Sequence, residues 1–419
     1  MFEDLFTGVF DNGFRYVGNF LPYLLPFFLA GIAWKSWLKY IRTEHVRNLK
    51  WTLLQIRIPQ DVFKSPAAME IFLGNALYQS GGVGTWYQKY WLGNVPAWFS
   101  LEIVSIEGRL FFFIYTQEKF RPIIEAQLYA QFPQAEVVES DDYTDMIPQY
   151  NKSADWNMYG GEFILTKDDP YPIKTYVDFG LDKSSGLDEE QKIDPIAPTI
   201  EYMGSLGVGE QMWMQIIIQA AAWGRYPDPK HWYKKIDWKK LGAKIIEELK
   251  IKQQKPLEDT TAPSRATKGE QDLIAAIERS ITKYGFDAGI RTVYLAHKDM
   301  FKPIHITGML GIFKQFNSGN MNAFKPNNLT GFDYPWQDFS GNRGAKLKTE
   351  MLEAYRSRGF FQSPWKRARH ARTLIERKPF VLTTEELATL YHFPGRVLET
   401  PTFKRIESKK AEPPANLPM

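Results

Sequence analysis

Residues 98–116 read WFSLEIVSIEGRLFFFIYT, and this stretch decides the fold of the chain around it. Two runs rich in apolar, β-branched and aromatic residues, 98–106 and 110–116, flank the short polar segment Glu107-Gly108-Arg109. Such runs joined by a turn that contains glycine are typical of a β-hairpin. The stretch therefore predicts two antiparallel strands.

The segments on either side of this hairpin predict a ferredoxin-like unit. Upstream, residues 51–58 alternate as a strand does, and residues 67–79 have helical spacing. Downstream, residues 119–132 are typical of a helix and residues 135–139 of a short strand. The order β-α-β-β-α-β defines the ferredoxin-like split motif, in which both helices pack on one face of an antiparallel sheet. An α+β domain is predicted over residues 50–145.

A second α+β domain is predicted over residues 160–330. Near residue 200 a turn precedes a strongly apolar strand, residues 286–297 again favour a strand, and residues 303–316 favour a helix. Together these elements predict part of a second ferredoxin-like unit.

The second domain is interrupted by an inserted charged helix and a polar linker over residues 233–268. A helix follows over residues 269–284, where Thr267 and Glu270 have the spacing of a capping box.

The C-terminal part is predicted to be an irregular and helical basic region, residues 331–406. Helix-like pieces lie at residues 346–358 and 366–378, and Thr383 and Glu386 can begin a further helix as a capping box. Residues 407–419, rich in proline and charge, are expected to be a flexible tail.

The first forty residues predict a transmembrane helix. Residues 16–34 (YVGNFLPYLLPFFLAGIAW) contain no charged residue, and at ~1.5 Å per residue they could cross a hydrocarbon core of roughly 30 Å. A helix with its interface is therefore expected over residues 16–40. The membrane-interface residues would be Trp34, Lys35, Trp37, Lys39, Tyr40 and Arg42.

Positive charge follows this segment, which predicts residues 1–15 outside the cell and the bulk of the chain in the cytoplasm, at the inner membrane. A cleaved signal peptide is one alternative, but acidic residues precede the segment and bulky aromatics follow it. An interfacial or buried helix is the other alternative.

Composition excludes several kinds of chemistry. The chain has 419 residues, a formal net charge of +4 and no cysteine, which rules out disulfides and thiol nucleophiles. The motifs of P-loop nucleotide hydrolases, HExxH metal sites and GxSxG hydrolases do not occur, and the six histidines are scattered. The sequence therefore predicts no catalytic site, no metal and no cofactor.

Positive charge is concentrated between residues 343 and 378, where eleven basic residues face three acidic ones. Such a cluster with aromatic residues between the charges is typical of nucleic-acid binding. A solvated face, an acidic partner and the anionic inner leaflet of a membrane are alternatives. The candidate binding residues are Arg356, Arg358, Trp365, Lys366, Arg367, Arg369 and Arg372.

Several stretches carry a family resemblance, above all FVLTTEELATLYHFPGRVLETPTFKRIESKKAEPPANLP (380–418), with GEQMWMQIIIQ and the hairpin stretch. They resemble the amino-terminal, motor-less region of conjugative DNA-transfer ATPases of the TraD and HerA type, in membrane-anchored proteins of candidate-phyla bacteria. In those proteins a P-loop motor domain is expected to follow the proline-rich tail. The resemblance implies that the motor here lies on a separate chain or has been lost.

The expected function is a membrane-anchored, non-enzymatic platform of a type IV secretion system, single-pass and oligomeric. It would dock a separate P-loop ATPase, DNA or a secreted partner. The alternative is a structural scaffold protein of a cell-envelope assembly unrelated to DNA transfer, and an enzyme is the third hypothesis.

Overall fold

The computed structural model describes residues 2–59, 64–79, 84–151, 153, 155–182, 193–221, 224–228, 231–254, 267–361 and 378–394. The chain divides into two compact units. Of the described residues, unit 1 contains 2–49 and 84–95, and unit 2 contains the others.

The helices and strands follow one another along the chain, and several short 3₁₀ turns lie between them. In chain order they are α1 (Phe2–Asn48), β1 (Trp51–Arg57), α2 (Pro66–Phe72), α3 (Trp86–Tyr90), β2 (Trp98–Ile106), β3 (Arg109–Gln117), α4 (Arg121–Gln131), β4 (Glu136–Ser140), β5 (Trp156–Leu165), α5 (Ala197–Gly204), β6 (Glu210–Ala220), β7 (Tyr226–Asp228), β8 (His231–Ile236), α6 (Trp238–Gln254), α7 (Lys268–Thr282), β9 (Gly285–His297), α8 (Ile304–Gly311), β10 (Phe324–Asn327), α9 (Asn342–Arg356), β11 (Phe380–Thr383) and α10 (Thr384–Leu390).

The predicted transmembrane helix is wrong. Across the residues that the structure describes, no helix has both the length and the apolar character needed to cross a membrane. The apolar run that was expected to span, residues 16–34, lies inside α1, which contains Pro22 and Pro26. Lys35 and Lys39 follow that run within two turns of the helix. The expected boundary between residues 1–15 and 16–40 falls inside this single helix.

Unit 2 begins with a complete ferredoxin-like unit, which we call the first repeat: β1, α2, β2, β3, α4 and β4. Its strands lie in the order β4-β1-β3-β2, and all neighbouring pairs are antiparallel. The predicted hairpin is confirmed, because β2 and β3 pair from Ile106 and Arg109 outward. Glu107 and Gly108 form its turn with φ of 53° and 79°, the left-handed values that a two-residue hairpin of this kind requires.

A second ferredoxin-like unit, the second repeat, is formed by β5, α5, β6, β9, α8 and β10. Its strand order β10-β5-β9-β6 matches that of the first repeat, strand for strand. The predicted strand 286–297 and the capping box of Thr267 and Glu270 are confirmed. The strand β5 was not predicted.

The two repeats join edge to edge into one antiparallel sheet. Strand β2 of the first repeat pairs with β6 of the second along its whole length, from Trp98 opposite Gln219 to Ile106 opposite Gln211. We call this pairing the seam. Each repeat contributes the equivalent strand to it, so the strand order reads the same from either edge of the eight strands.

The sheet of unit 2 carries helices on both faces. Successive residues of a strand point to opposite faces, so Ile103 and Val104 of β2 belong to different cores. The first core contains buried side chains of the four repeat helices: Met69, Phe72, Ile124, Leu128, Ile200, Met203 and Met309. The second core lies under α9 and contains Met351, Leu352 and Tyr355.

A C-terminal segment, residues 378–394, returns to the sheet. Strand β11 pairs with β9 of the second repeat, and α10 packs against α2 of the first repeat. The predicted capping box of Thr383 and Glu386 is confirmed, with every residue of α10 buried. This segment therefore contacts both repeats.

Candidate functional site

A row of buried polar side chains, which we call the ionic row, crosses the seam on the α9 face. Glu102 lies opposite Gln215, Gln215 opposite Arg291, and Arg291 opposite Glu162. Gln215 donates to Glu102 at 3.0 Å, while Arg291 donates to Gln215 at 2.9 Å and to Glu162 at 2.9 Å and 3.0 Å. Because buried polar groups need partners, this row holds the two repeats in one register.

Arg358 completes the row on the side of the first repeat. It lies just after α9 and is 1% exposed. Its guanidinium donates to both carboxylate oxygens of Glu102, at 3.0 Å and 3.2 Å, and pairs with Asp142. The Tyr143 hydroxyl donates to the same Glu102 carboxylate at 2.8 Å.

Electrostatics keep this arginine charged. Burial by itself lowers the pKa of Arg358, but the carboxylates of Glu102 and Asp142 raise that pKa well above its ordinary value. Burial raises the pKa of Asp142, and the guanidinium outweighs this effect and lowers it. The network is a set of paired, buried charges on the first repeat's side of the seam.

The two predicted binding arginines that the structure describes are therefore used inside the fold. Arg356 donates to the carbonyl oxygens of Thr144 and Ile147 and to the side chain of Gln149. Arg358 is the buried partner of Glu102. A count of charges along the sequence could not show this, because the carboxylates lie far away in the chain. The other candidates, Trp365, Lys366, Arg367, Arg369 and Arg372, lie outside the described residues, as do residues 366–377 of the predicted helix and the predicted tail 407–419.

Unit 1 presents a cluster of exposed aromatic side chains. The ring of Trp34 stacks on Tyr90 with centroids 6.0 Å apart, and Trp37 lies 5.8 Å from Trp91. The Trp37 indole N–H donates to the carbonyl oxygen of Tyr90 at 3.3 Å. We call the following exposed side chains the aromatic collar: Trp34, Trp37, Tyr40, Trp86, Tyr87 and Trp91.

The predicted membrane-interface residues belong to this surface. Lys35 and Lys39 are exposed on α1 beside the collar, and Arg42 is half-buried. The sequence analysis missed the part of the collar on α3. The available signal was the stretch TWYQKYW (85–91), in which Thr85 caps the helix and forms a capping box with Gln88.

A cleft of about 720 Å³ lies in unit 2 beside β7 and β11. At its wall, burial raises the pKa of Asp169 to about 6, and the Tyr226 hydroxyl donates to this carboxyl group. Arg225 pairs with Asp287 at 2.5 Å. Among the described residues, no group of three or more acidic or histidine side chains could hold a metal ion.

The fold defines the class of protein: an α+β protein with two ferredoxin-like repeats in tandem, fused through equivalent strands and tied by a buried ionic row. The chain belongs to the family described as Domain of unknown function (DUF8128), whose model matches residues 81–405. That range includes the hairpin, the whole second repeat and the C-terminal segment. No curated protein matches the chain.

Proposed function

We propose that the protein is a non-enzymatic docking platform that contacts a lipid interface through unit 1 and holds a macromolecular partner on unit 2. The aromatic collar is the observation that carries this proposal. Tryptophan and tyrosine favour the lipid–water interface because their rings are amphipathic, and neighbouring lysines attract anionic headgroups. Lys35 and Lys39 supply that charge here. This contact is peripheral and needs no membrane-spanning helix.

The buried charges of unit 2 support a platform role. Arg358 donates to Glu102, and Gln215 connects Glu102 to Arg291 across the seam. Such an arrangement favours one rigid conformation of the sheet. A rigid sheet is a suitable support for a partner that must be held in place. The resemblance to DNA-transfer ATPases supports a P-loop ATPase as that partner.

Flotation of the full chain with lipid vesicles tests the membrane contact. The protein should float with vesicles that contain phosphatidylglycerol. Trp34→Ala/Trp37→Ala/Trp91→Ala should reduce the bound fraction at least ~tenfold. Each ring that is removed takes away ~1–2 kcal/mol of binding free energy that comes from burying apolar surface. Trp336→Ala, which removes an exposed ring of unit 2, is the matched control and should bind as the wild type does. Equal flotation of the triple variant, or no flotation of the wild type, would contradict the proposal.

Co-expression with a P-loop ATPase encoded beside the gene tests the partner. A stable complex in size-exclusion chromatography is the expected result. Vesicle binding without any such complex would favour the alternative, a structural scaffold protein of the cell envelope.

A further inference from the structure

The two repeats differ most at the connection that follows the seam strand. In the first repeat, Glu107 and Gly108 alone join β2 to β3. In the second repeat, residues 221–284 join the equivalent strands β6 and β9, and we call these residues the insertion. Its strand β7 forms one wall of the 720 Å³ cleft, and the ends of β5 and β10 and the start of β11 form the others. The first repeat has no insertion and so lacks this wall.

The cleft has the size and the lining of a ligand site. Pockets that hold ligands typically measure ~300–1,000 Å³ and combine apolar walls with a few polar groups that orient the ligand. The cleft measures about 720 Å³. Its apolar lining consists of Ile164, Leu165, Pro227, Pro379 and Phe380. Its charged lining decides which ligand it suits.

Asp169 is a half-buried acid of this lining that is short of positive charge. Its side chain is 13% exposed, and its ion-pair partner Arg225 lies 3.7 Å away. Arg225 approaches Asp287 more closely, at 2.5 Å, so two carboxylates share one guanidinium. Burial raises the pKa of Asp169 to about 6, and the charges of Asp287 and Asp168 act in the same direction, although Arg225 and the backbone N–H of Val381 oppose them.

The two lysines of the lining do not compensate these acids. The Lys167 ammonium donates to the carbonyl oxygens of Gly319 and Asn320, at 3.1 Å and 2.9 Å. Lys378 is exposed. Among the residues that the structure describes, no carboxylate lies within ion-pair distance of either ammonium group. A cation on a ligand would therefore meet Asp169 without displacing a lysine from it, and the charge that the cleft lacks is positive.

An arginine side chain combines the properties that this lining favours. A guanidinium pairs with a carboxylate through two parallel hydrogen bonds and stacks on aromatic rings, and Tyr226 supplies such a ring in the wall. It is more weakly hydrated than an ammonium, so its entry into a half-buried site costs less free energy. Its methylene groups can lie along the apolar lining. Arginine is also enriched among the residues that dominate protein–protein binding.

We infer that the cleft is the pocket in which unit 2 holds an arginine side chain of a partner protein, with Asp169 and Asp168 as its counter-ions. The inference rests on the proposed platform function and names the chemistry of one contact with the partner. Its test uses the full chain and short peptides, without lipid or ATPase. Failure here and failure of the vesicle or co-expression experiments are thus separate results.

Isothermal titration calorimetry of the full chain with a blocked tripeptide, arginine between two alanines, tests the pocket. The peptide should bind to the wild type. The same peptide with citrulline, which has nearly the shape of arginine but no charge, should bind at least ~tenfold more weakly, because a charged donor makes the stronger hydrogen bonds to a carboxylate. Asp169→Asn should weaken binding of the arginine peptide at least ~fivefold.

The protonation of Asp169 supplies a second readout. At pH ~5 its carboxyl group is mostly protonated and the guanidinium must displace the proton, whereas at pH ~7 the group is already ionised. The affinity of the wild type for the arginine peptide should therefore rise roughly five- to tenfold between these pH values. For Asp169→Asn it should change by less than ~twofold, which a merely structural role of Asp169 would not produce.

Asp299→Asn, which changes an exposed acid of unit 2 outside the cleft, is the matched control and should bind the arginine peptide as the wild type does. If Asp169→Asn unfolds, Asp168→Asn at an exposed position serves instead and should weaken binding ~two- to threefold. Free arginine distinguishes the sources of the guanidinium and should bind no more tightly than the peptide. Absence of peptide binding, equal binding of the citrulline peptide, or tighter binding of free arginine would each overturn the inference.

Discussion

The two ferredoxin-like repeats share a strand order but differ in what their equivalent connections carry. The first repeat closes its central hairpin with Glu107 and Gly108, whereas the second opens the same connection to admit residues 221–284. The first repeat thus shows what the fold requires, and the second shows what has been added to it. The two repeats share the sheet and its ionic row. They differ in the surface that residues 221–284 add to the second repeat.

The largest expected effect is the loss of stability when either arginine of the ionic row is removed. Arg358→Ala leaves the fully buried carboxylate of Glu102 without its cation and should lower the free energy of unfolding by about 3–5 kcal/mol. Arg291→Ala removes the partner of Glu162 in the second repeat and should cost a similar amount. Urea unfolding followed by circular dichroism measures both.

Arg109→Ala, at an exposed position, is the control for these two variants and should change stability by less than about 0.5 kcal/mol. The double variant of Arg358 and Arg291 should deviate from additivity by more than ~0.5 kcal/mol, because Glu102 and Gln215 connect the two sites. Strict additivity would mean that the repeats are stabilised independently.

A smaller effect concerns the C-terminal segment that contacts both repeats. Burial raises the pKa of Glu386 in α10 from 4.5 to about 7, although Thr383 and the backbone N–H of Ile173 donate to it. The folded chain therefore holds the carboxyl proton of Glu386 more tightly than the unfolded chain does. Its stabilising effect is complete below pH ~4.5 and is lost as the pH rises toward ~7, a fall of about 3 kcal/mol.

Unfolding measured at several pH values tests this dependence. Glu386→Gln keeps the shape of the side chain but removes the titration, so its stability should vary less between pH ~4.5 and ~7 than that of the wild type. Parallel pH profiles for the two proteins would show that Glu386 does not control the dependence.

The smallest effect concerns the tight turn that only the first repeat has. Gly108→Ala places a side chain at a φ of 79° and should cost about 1–2 kcal/mol. Gly319→Ala is the control, because a Cβ there meets no atom within 4 Å. Thermal unfolding measures the difference, and equal melting temperatures would show that the turn tolerates a side chain.

The sequence predicted the first repeat better than the second for a physical reason. The hairpin and the capping boxes are local signals, and the structure confirms both predictions. Strand β5 contains Gly160 and Gly161, which weaken any strand pattern. A Cβ at Gly160 would lie 2.8 Å from Met351, and one at Gly161 would lie 2.7 Å from Leu329, so tertiary packing explains both glycines. Because β5 is not predicted, the sequence alone does not show that the two repeats have the same strand order.

The basic residues around Arg358 show the limit of charge counting. Arg358 looked like part of a nucleic-acid surface because its neighbours in the sequence are basic. Its partners, Glu102 and Asp142, lie more than two hundred positions earlier in the chain.

The seam has a consequence for biosynthesis. Strand β2 leaves the ribosome long before residue 220 completes β6, and at ~5–20 residues per second the interval is on the order of ten seconds. During that time β2, which is almost entirely buried in the finished sheet, has an open edge that other nascent chains can join. We therefore expect a chaperone to protect the edge of β2 during translation, until β6 has been synthesised and can pair with it.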